Sequence, residues 1–152
     1  MPAVRRTVWY RYALVRVVPR VERGESLNVG VVLFAPEAAF LRARIALDDA
    51  LLAMFAPDVS RADLERRLSM LIGVADGDER CGAVASLPQS DRFHWLTSPR
   101  STVIQPGPVH VGCTSDPASE LEQLLDHFVR RAGAPADEAP TDPRDAPQEG
   151  VA

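Results

Sequence analysis

Residues 9–34 read WYRYALVRVVPRVERGESLNVGVVLF, two apolar runs separated by a charged loop. The run from Trp9 to Val18 is rich in aromatic and β-branched residues and contains no Gly or Pro, which predicts a strand. Because both alternating faces of this strand are largely apolar, we expect it to be central and covered on both sides. Leu27 to Phe34 predicts a second strand, in which Gly30 indicates a bulge or a close backbone approach.

A third strand and two helices are predicted next. Phe40 to Leu47 alternates apolar and Arg side chains, and the short connections favour an antiparallel meander. Asp48 or Asp49 predicts the N-cap of a short helix that ends near Phe55. Ser60 predicts the N-cap of a longer helix, because apolar side chains recur after it at helical spacing.

The second half of the chain predicts shorter elements. Residues 76–91 are interpreted as a connector with turn-forming residues at its start. Arg92 to Leu96 and Ser101 to Gln105 are predicted to be short strands, with Val109 to Cys113 as a last short strand. Asp116 and Pro117 are typical of a helix start, and the apolar pattern predicts that this helix ends near Ala132.

These patterns predict one α+β domain over residues 1–132. Its sheet is expected to be small and mostly antiparallel, with a three-strand N-terminal meander, one or two C-terminal strands, and helices packed on it. Residues 133–152 are rich in Pro, Ala and acidic residues, and we expect a disordered acidic tail because such a composition buries too little apolar surface. No apolar run approaches the ~20 residues of a membrane span.

The charge is distributed unevenly. The formal net charge is −4. The five acids and one base of residues 133–152 account for all of it, so the rest of the chain is neutral. A neutral body argues against nucleic acid as the main partner, because non-specific binding to nucleic acid needs a basic surface. Two unpatterned cysteines and no recognisable signal peptide predict a cytoplasmic protein with free thiols.

The loop between the first two strands is the first candidate binding segment. Arg20 and Arg23 present planar donors that suit a small anionic ligand, while Glu25 and Asn28 would fix their orientation. The alternative is a solvated hairpin loop in which Gly24 supplies a positive φ and the acids pair with arginines. Glu25 is also a plausible structural partner for Arg16.

The second candidate segment surrounds Pro99. Its binding candidates are Arg92, Trp95, Arg100 and Ser101, and His110 follows a few residues later. An Arg and hydroxyls near a proline turn suit phosphate or carboxylate, although a structural role in the core or in the turn is the alternative. The sequence has no paired metal-ligand spacing and no nucleotide-binding motif, so no metal or cofactor is predicted.

Two separated blocks resemble the bacterial family called domain of unknown function 3037. The first block is Val15-Arg16-x-Val18-Pro19 followed by Arg23-Gly24-Glu25-x-x-Asn28-Val29-Gly30-Val31. The second is Arg92-Phe93-x-Trp95-Leu96-Thr97-x-Pro99-Arg100-Ser101-Thr102-Val103, then Gln105-Pro106-x-Pro108-x-His110-x-Gly112, then Asp116-Pro117. The resemblance covers about residues 9–131 and brings no catalytic residues with it. It implies a cytoplasmic actinobacterial protein, and a partner protein as well, because family members are similar to proteins often encoded beside a kinase-like protein of the HipA type.

Two functions remain open at this point. The first is a non-catalytic binding or accessory module in which the two segments form one surface, with the HipA-like kinase-fold protein as its partner. The second is an enzyme acting on a phosphate-bearing or nucleic-acid substrate. In that enzyme Glu25 would be the general base, and Arg23 and Arg100 would stabilise negative charge.

Overall fold

The computed structural model describes residues 6–130. Its five strands are β1 (Val8–Val17), β2 (Leu27–Ala35), β3 (Phe40–Ile45), β4 (Ile104–Pro106) and β5 (His110–Thr114). Its four α-helices are α1 (Asp49–Phe55), α2 (Arg61–Asp76), α3 (Gln89–Thr97) and α4 (Pro117–Phe128). The strands pair antiparallel and β1 to β3 form the expected meander, so the α+β fold class is confirmed.

β1 is the central strand of the sheet. β2 and then β3 lie on one side of it, while β4 and β5 share its other side. β4 pairs with Val15–Val17 and β5 pairs with Val8–Tyr12, so the two short strands form one interrupted edge. Between them Gly107 keeps contact with β1 by donating its N–H to the Leu14 carbonyl oxygen at 2.7 Å.

Helices cover both faces of the sheet, as expected for a strand with two apolar faces. α1, α2 and α3 pack on the face that carries Val15 and Val17, which we call the helix-rich face. α4 packs alone on the opposite face, the α4 face, against Tyr10 and Leu33. Successive side chains of a strand point to opposite faces, so residues that are adjacent in sequence serve different cores.

Gly30 is placed as the sequence predicts. The pairing of β1 with β2 shifts register between Val15 and Arg16, opposite this glycine. A Cβ at Gly30 would lie 2.7 Å from the backbone oxygen of Arg44 on β3. The missing side chain therefore lets β2 and β3 approach each other closely at the irregular point of the sheet.

Both short C-terminal strands are shifted from their predicted positions. β4 begins at Ile104 rather than Ser101, and β5 covers His110–Thr114 rather than Val109–Cys113.

Three further elements differ from the expectations. Arg92 to Leu96 is not a strand: it belongs to α3, where Arg92, Phe93 and Leu96 are buried together on one helical face. β3 ends at Ile45 rather than Leu47. α4 ends at Phe128 rather than near Ala132, where the Arg130 amide bonds five residues back to the Leu125 carbonyl and so departs from the helical pattern.

Two predictions concern residues outside the described range. The predicted domain boundary at 132 and the predicted tail lie outside residues 6–130. Within that range, none of the helices has the length and apolar character that a membrane crossing requires.

Candidate functional site

A groove of about 540 Å³ opens where the loop after β1 faces the connection between α1 and α2. Three of the predicted site residues line it, Arg20, Arg23 and Glu25. The α1–α2 connection contributes one acid, the first turn of α2 contributes a second, and apolar side chains come from three parts of the chain. These further residues are Asp58, Asp63, Pro19, Phe55, Pro57, Val59 and Val103. The groove therefore combines charged and apolar surface.

The loop is shaped by a short 3-10 turn over Val21–Arg23. Gly24 ends this turn with a φ of 67°, in the left-handed region that glycine adopts without a steric cost. Its N–H bonds back to the Val21 carbonyl. This reversal sets Arg23 and Glu25 side by side, and the Arg23 guanidinium donates to Glu25 Oε1 at 2.8 Å.

The charged groups of the groove are paired within the chain. Besides the Arg23–Glu25 pair, Arg20 Nη2 lies 3.9 Å from Asp58 Oδ2. The Asp63 carboxylate accepts hydrogen bonds from Arg66 and Arg67. The hydrogen bond that Arg23 donates to Glu25, together with the negative charge of Glu25, raises the pKa of Arg23. Chiefly through the Arg67 hydrogen bond, the pKa of Asp63 is lowered. These ion pairs are exposed and contribute little stability. Phe55, Val59 and Val103 are only partly buried against the core, so the groove also presents apolar surface to solvent.

Asn28 lies away from this groove. Its amide Nδ2 donates to the Phe128 carbonyl oxygen at 3.3 Å, at the end of α4 on the α4 face. Arg16 pairs in register with Asn28 and donates to the Pro106 carbonyl at 3.2 Å. The expected Arg16–Glu25 pair is therefore wrong, because Arg16 belongs to the α4 face whereas Glu25 pairs with Arg23 at the groove.

The candidates around Pro99 are partly structural. Arg92 is only 8% exposed, and its Nη1 donates to the Val74 carbonyl in the last turn of α2 at 3.4 Å. Arg100 stacks on the Trp95 ring at 4.0 Å and donates to the Trp95 carbonyl at 2.7 Å. Burial lowers the pKa of Arg100. Ser101 is exposed.

His110 is exposed on β5, with its ring centroid 5.3 Å from that of Tyr12. Of the nine predicted binding residues, only the three from the first loop line the groove. The block from Arg92 to Thr102 contributes none of the lining, although Val103, directly after it, does. Sequence reasoning missed Phe55, Asp58 and Val103, and no local pattern identifies them, because only the fold brings them to the loop.

Metal binding finds no support in residues 6–130, where no group of three or more His, Cys, Asp or Glu side chains is placed to hold an ion.

Neither a curated protein nor a solved structure matches the chain. A comparison with known protein families matches residues 12–129, from β1 to just past α4, to the family described as "Protein of unknown function (DUF3037)". With most of its length matched in this way, the chain belongs to that family.

Proposed function

We propose that this protein is a non-catalytic binding module and that the groove holds a short segment of a partner protein. The observation that carries this proposal is the composition of the groove, in which an apolar lining meets charges that are already paired. A segment with one apolar side chain would gain by burying that side chain against Phe55, Val59 and Val103. The rim pairs at Arg20 and Arg23 would then select the orientation of the segment.

Two features favour binding over catalysis. A general base must reach a proton of the substrate, yet Glu25 already accepts a hydrogen bond from Arg23. Arg100, the second positive group of the enzyme hypothesis, stacks on Trp95 and is absent from the groove lining. The enzyme hypothesis therefore lacks a free base beside an arginine that could stabilise developing charge.

The partner that we propose is a kinase-fold protein of the HipA type in the bacterial cytoplasm. The proposal of this partner rests on the family resemblance, since family members are similar to proteins often encoded beside such a kinase-like protein. The groove chemistry is compatible with it, because a protein segment can supply both an apolar side chain and charges of either sign.

We expect the substitution Arg23→Ala to weaken binding of the HipA-type protein from the same genome at least tenfold, which corresponds to about 1.4 kcal/mol. Interface arginines often carry energies of this size, and Arg23 lies on the rim of the groove. Isothermal titration calorimetry of the two purified full-length proteins measures the change directly. Because Arg23 is exposed, the thermal unfolding midpoint should stay near that of the wild type.

Arg80→Ala is the matched control. Arg80 also pairs at 2.8 Å with an acid two positions away, Asp78, and this acid also raises its pKa, but Arg80 lies outside the groove. Its replacement should leave the affinity unchanged. Equal losses of affinity in the two variants would show that Arg23 acts only through the net charge of the protein. Unchanged affinity in Arg23→Ala would show that the groove is not part of the interface.

A further inference from the structure

The two edges of the sheet differ in how they are protected. β3, at one edge, carries Arg42 and Arg44 on the α4 face, where Arg42 lies over the Phe40 ring and Arg44 pairs with Glu122. On the other side of β1, prolines end β4 and precede β5, which blocks pairing there. β5 itself, His110-Val111-Gly112-Cys113-Thr114, carries no Arg, Lys, Asp or Glu.

β5 is therefore an edge strand without the usual protection. Among residues 6–130 it pairs only with β1, so one row of its backbone N–H and C=O groups has no strand beside it. Such a row pairs readily with another extended chain. A partner at this edge must therefore offer an extended strand.

The sheet surface beside this edge is uncovered and, apart from Arg11, largely apolar. Trp9 and Val111 are each 62% exposed, and Val109 is 44% exposed. Trp9 is paired with Cys113 across the two strands, and Cys113 is also exposed. By strand alternation these side chains point to the helix-rich face. The core under α1, α2 and α3 reaches β1 only at Val15 and Val17 and includes no residue of β5.

We propose that β5 pairs antiparallel with β5 of a second copy of this chain, forming a two-fold symmetric dimer with one continuous sheet. A five-residue strand finds a partner for every residue only if its middle residue, Gly112, lies on the two-fold axis. Val111 of each copy then lies opposite Cys113 of the other. The apolar rows of the two copies join into one stripe across the interface.

The charges permit this self-pairing at β5 and oppose it at β3. Two copies of β5 bring no charged side chains together. Arg11, which lies opposite Val111, would be three strand spacings across and two residues along the strand from its symmetry mate, roughly 16 Å and beyond the Debye length at physiological salt. Self-pairing through β3 would instead bring the arginines of two copies close together.

Other occupants fit the edge less well. Residues 133–152 hold four prolines and almost no apolar side chains, a composition unsuited to an added strand. The interface would consist of one pair of five-residue strands and a few exposed side chains, which is little beside the roughly 800 Å² per partner of a stable interface. The dimer is therefore expected to be weak and to dissociate on dilution.

Sedimentation velocity of the full-length protein over a hundredfold concentration range tests the dimer. The wild type should shift from monomer towards dimer as concentration rises, and Val111→Lys should raise the dissociation constant at least tenfold. Met54→Lys, on a side chain that is 83% exposed on α1, is the matched control and should dimerise like the wild type. A wild type that stays monomeric throughout, or an equally tight Val111→Lys dimer, overturns the proposal.

Cross-linking of the natural thiols gives a second readout, in which the wild type itself shows the contact. In the proposed register the two Cys113 Cα atoms lie on the order of 8 Å apart. A short bismaleimide should therefore yield a covalent dimer of the wild type, and Cys113→Ser, which keeps Cys81, should yield none. A cross-linked dimer that persists in Cys113→Ser contradicts this interface.

Discussion

Leu125→Ala is expected to lower the free energy of unfolding by about 3 kcal/mol. Leu125 is fully buried on α4, the only helix described on its face of the sheet, and it packs with Leu121 against β1 and β2. Its truncation removes apolar burial and leaves a cavity that no second helix can fill. Urea denaturation followed by circular dichroism measures the change.

Gln123→Ala is the control on the same helix. Gln123 is exposed and Ala is a strong helix former, so its replacement should change stability by no more than about 0.5 kcal/mol. A loss below about 1 kcal/mol for Leu125→Ala would mean that α4 is not held against the sheet. That result would also question the contacts that fix its ends, from Tyr10 to Glu120 at 2.6 Å and from Asn28 to the Phe128 carbonyl.

Arg92→Ala is expected to cost about 2–4 kcal/mol, whereas Arg92→Met should stay within about 1 kcal/mol of the wild type. The Arg92 side chain fills the space between α3 and the end of α2, near Gly77. Its one hydrogen bond, to Val74, is long, and its buried Nε has no partner among residues 6–130. Its aliphatic stem therefore contributes more than its charge, which is costly to bury.

Thermal and urea unfolding of the two Arg92 variants separates packing from charge. If Arg92→Met is as damaging as Arg92→Ala, the guanidinium stabilises the carbonyl end of α2 and the packing argument fails. The pair of variants also tests the placement of Arg92 in the core, because a ligand-binding arginine on the surface would lose little stability in either form.

The strands were predictable because their signals are local. β-branched and aromatic residues in Trp9 to Val18 specify a two-sided central strand whatever lies around it. The same kind of local signal gave the wrong strand at Arg92 to Leu96, because Phe93 and Trp95 are aromatic residues at the two-residue spacing of a strand face. Tertiary packing decided instead, because Arg92, Phe93 and Leu96 share one helical face that closes the core.

The candidate site was predictable only in part. Arg20, Arg23 and Glu25 stand out as surplus charge in a loop, and the structure gives them a groove. Asn28 could have been separated from them, since it lies between Leu27 and Val29 in β2 and alternation sends it to the other face. The opposite wall around Asp58 has no such signal, because its position is set by how α1 and α2 pack on the sheet.

Hydrogen–deuterium exchange of the full-length protein, with and without the HipA-type protein from the same genome, tests the binding proposal most directly. We expect slower exchange in residues 19–27 and 55–63, the two walls of the groove, and unchanged exchange in α4. A complex that protects neither wall, or an absence of any complex at concentrations where calorimetry detects weak binding, would contradict the proposal.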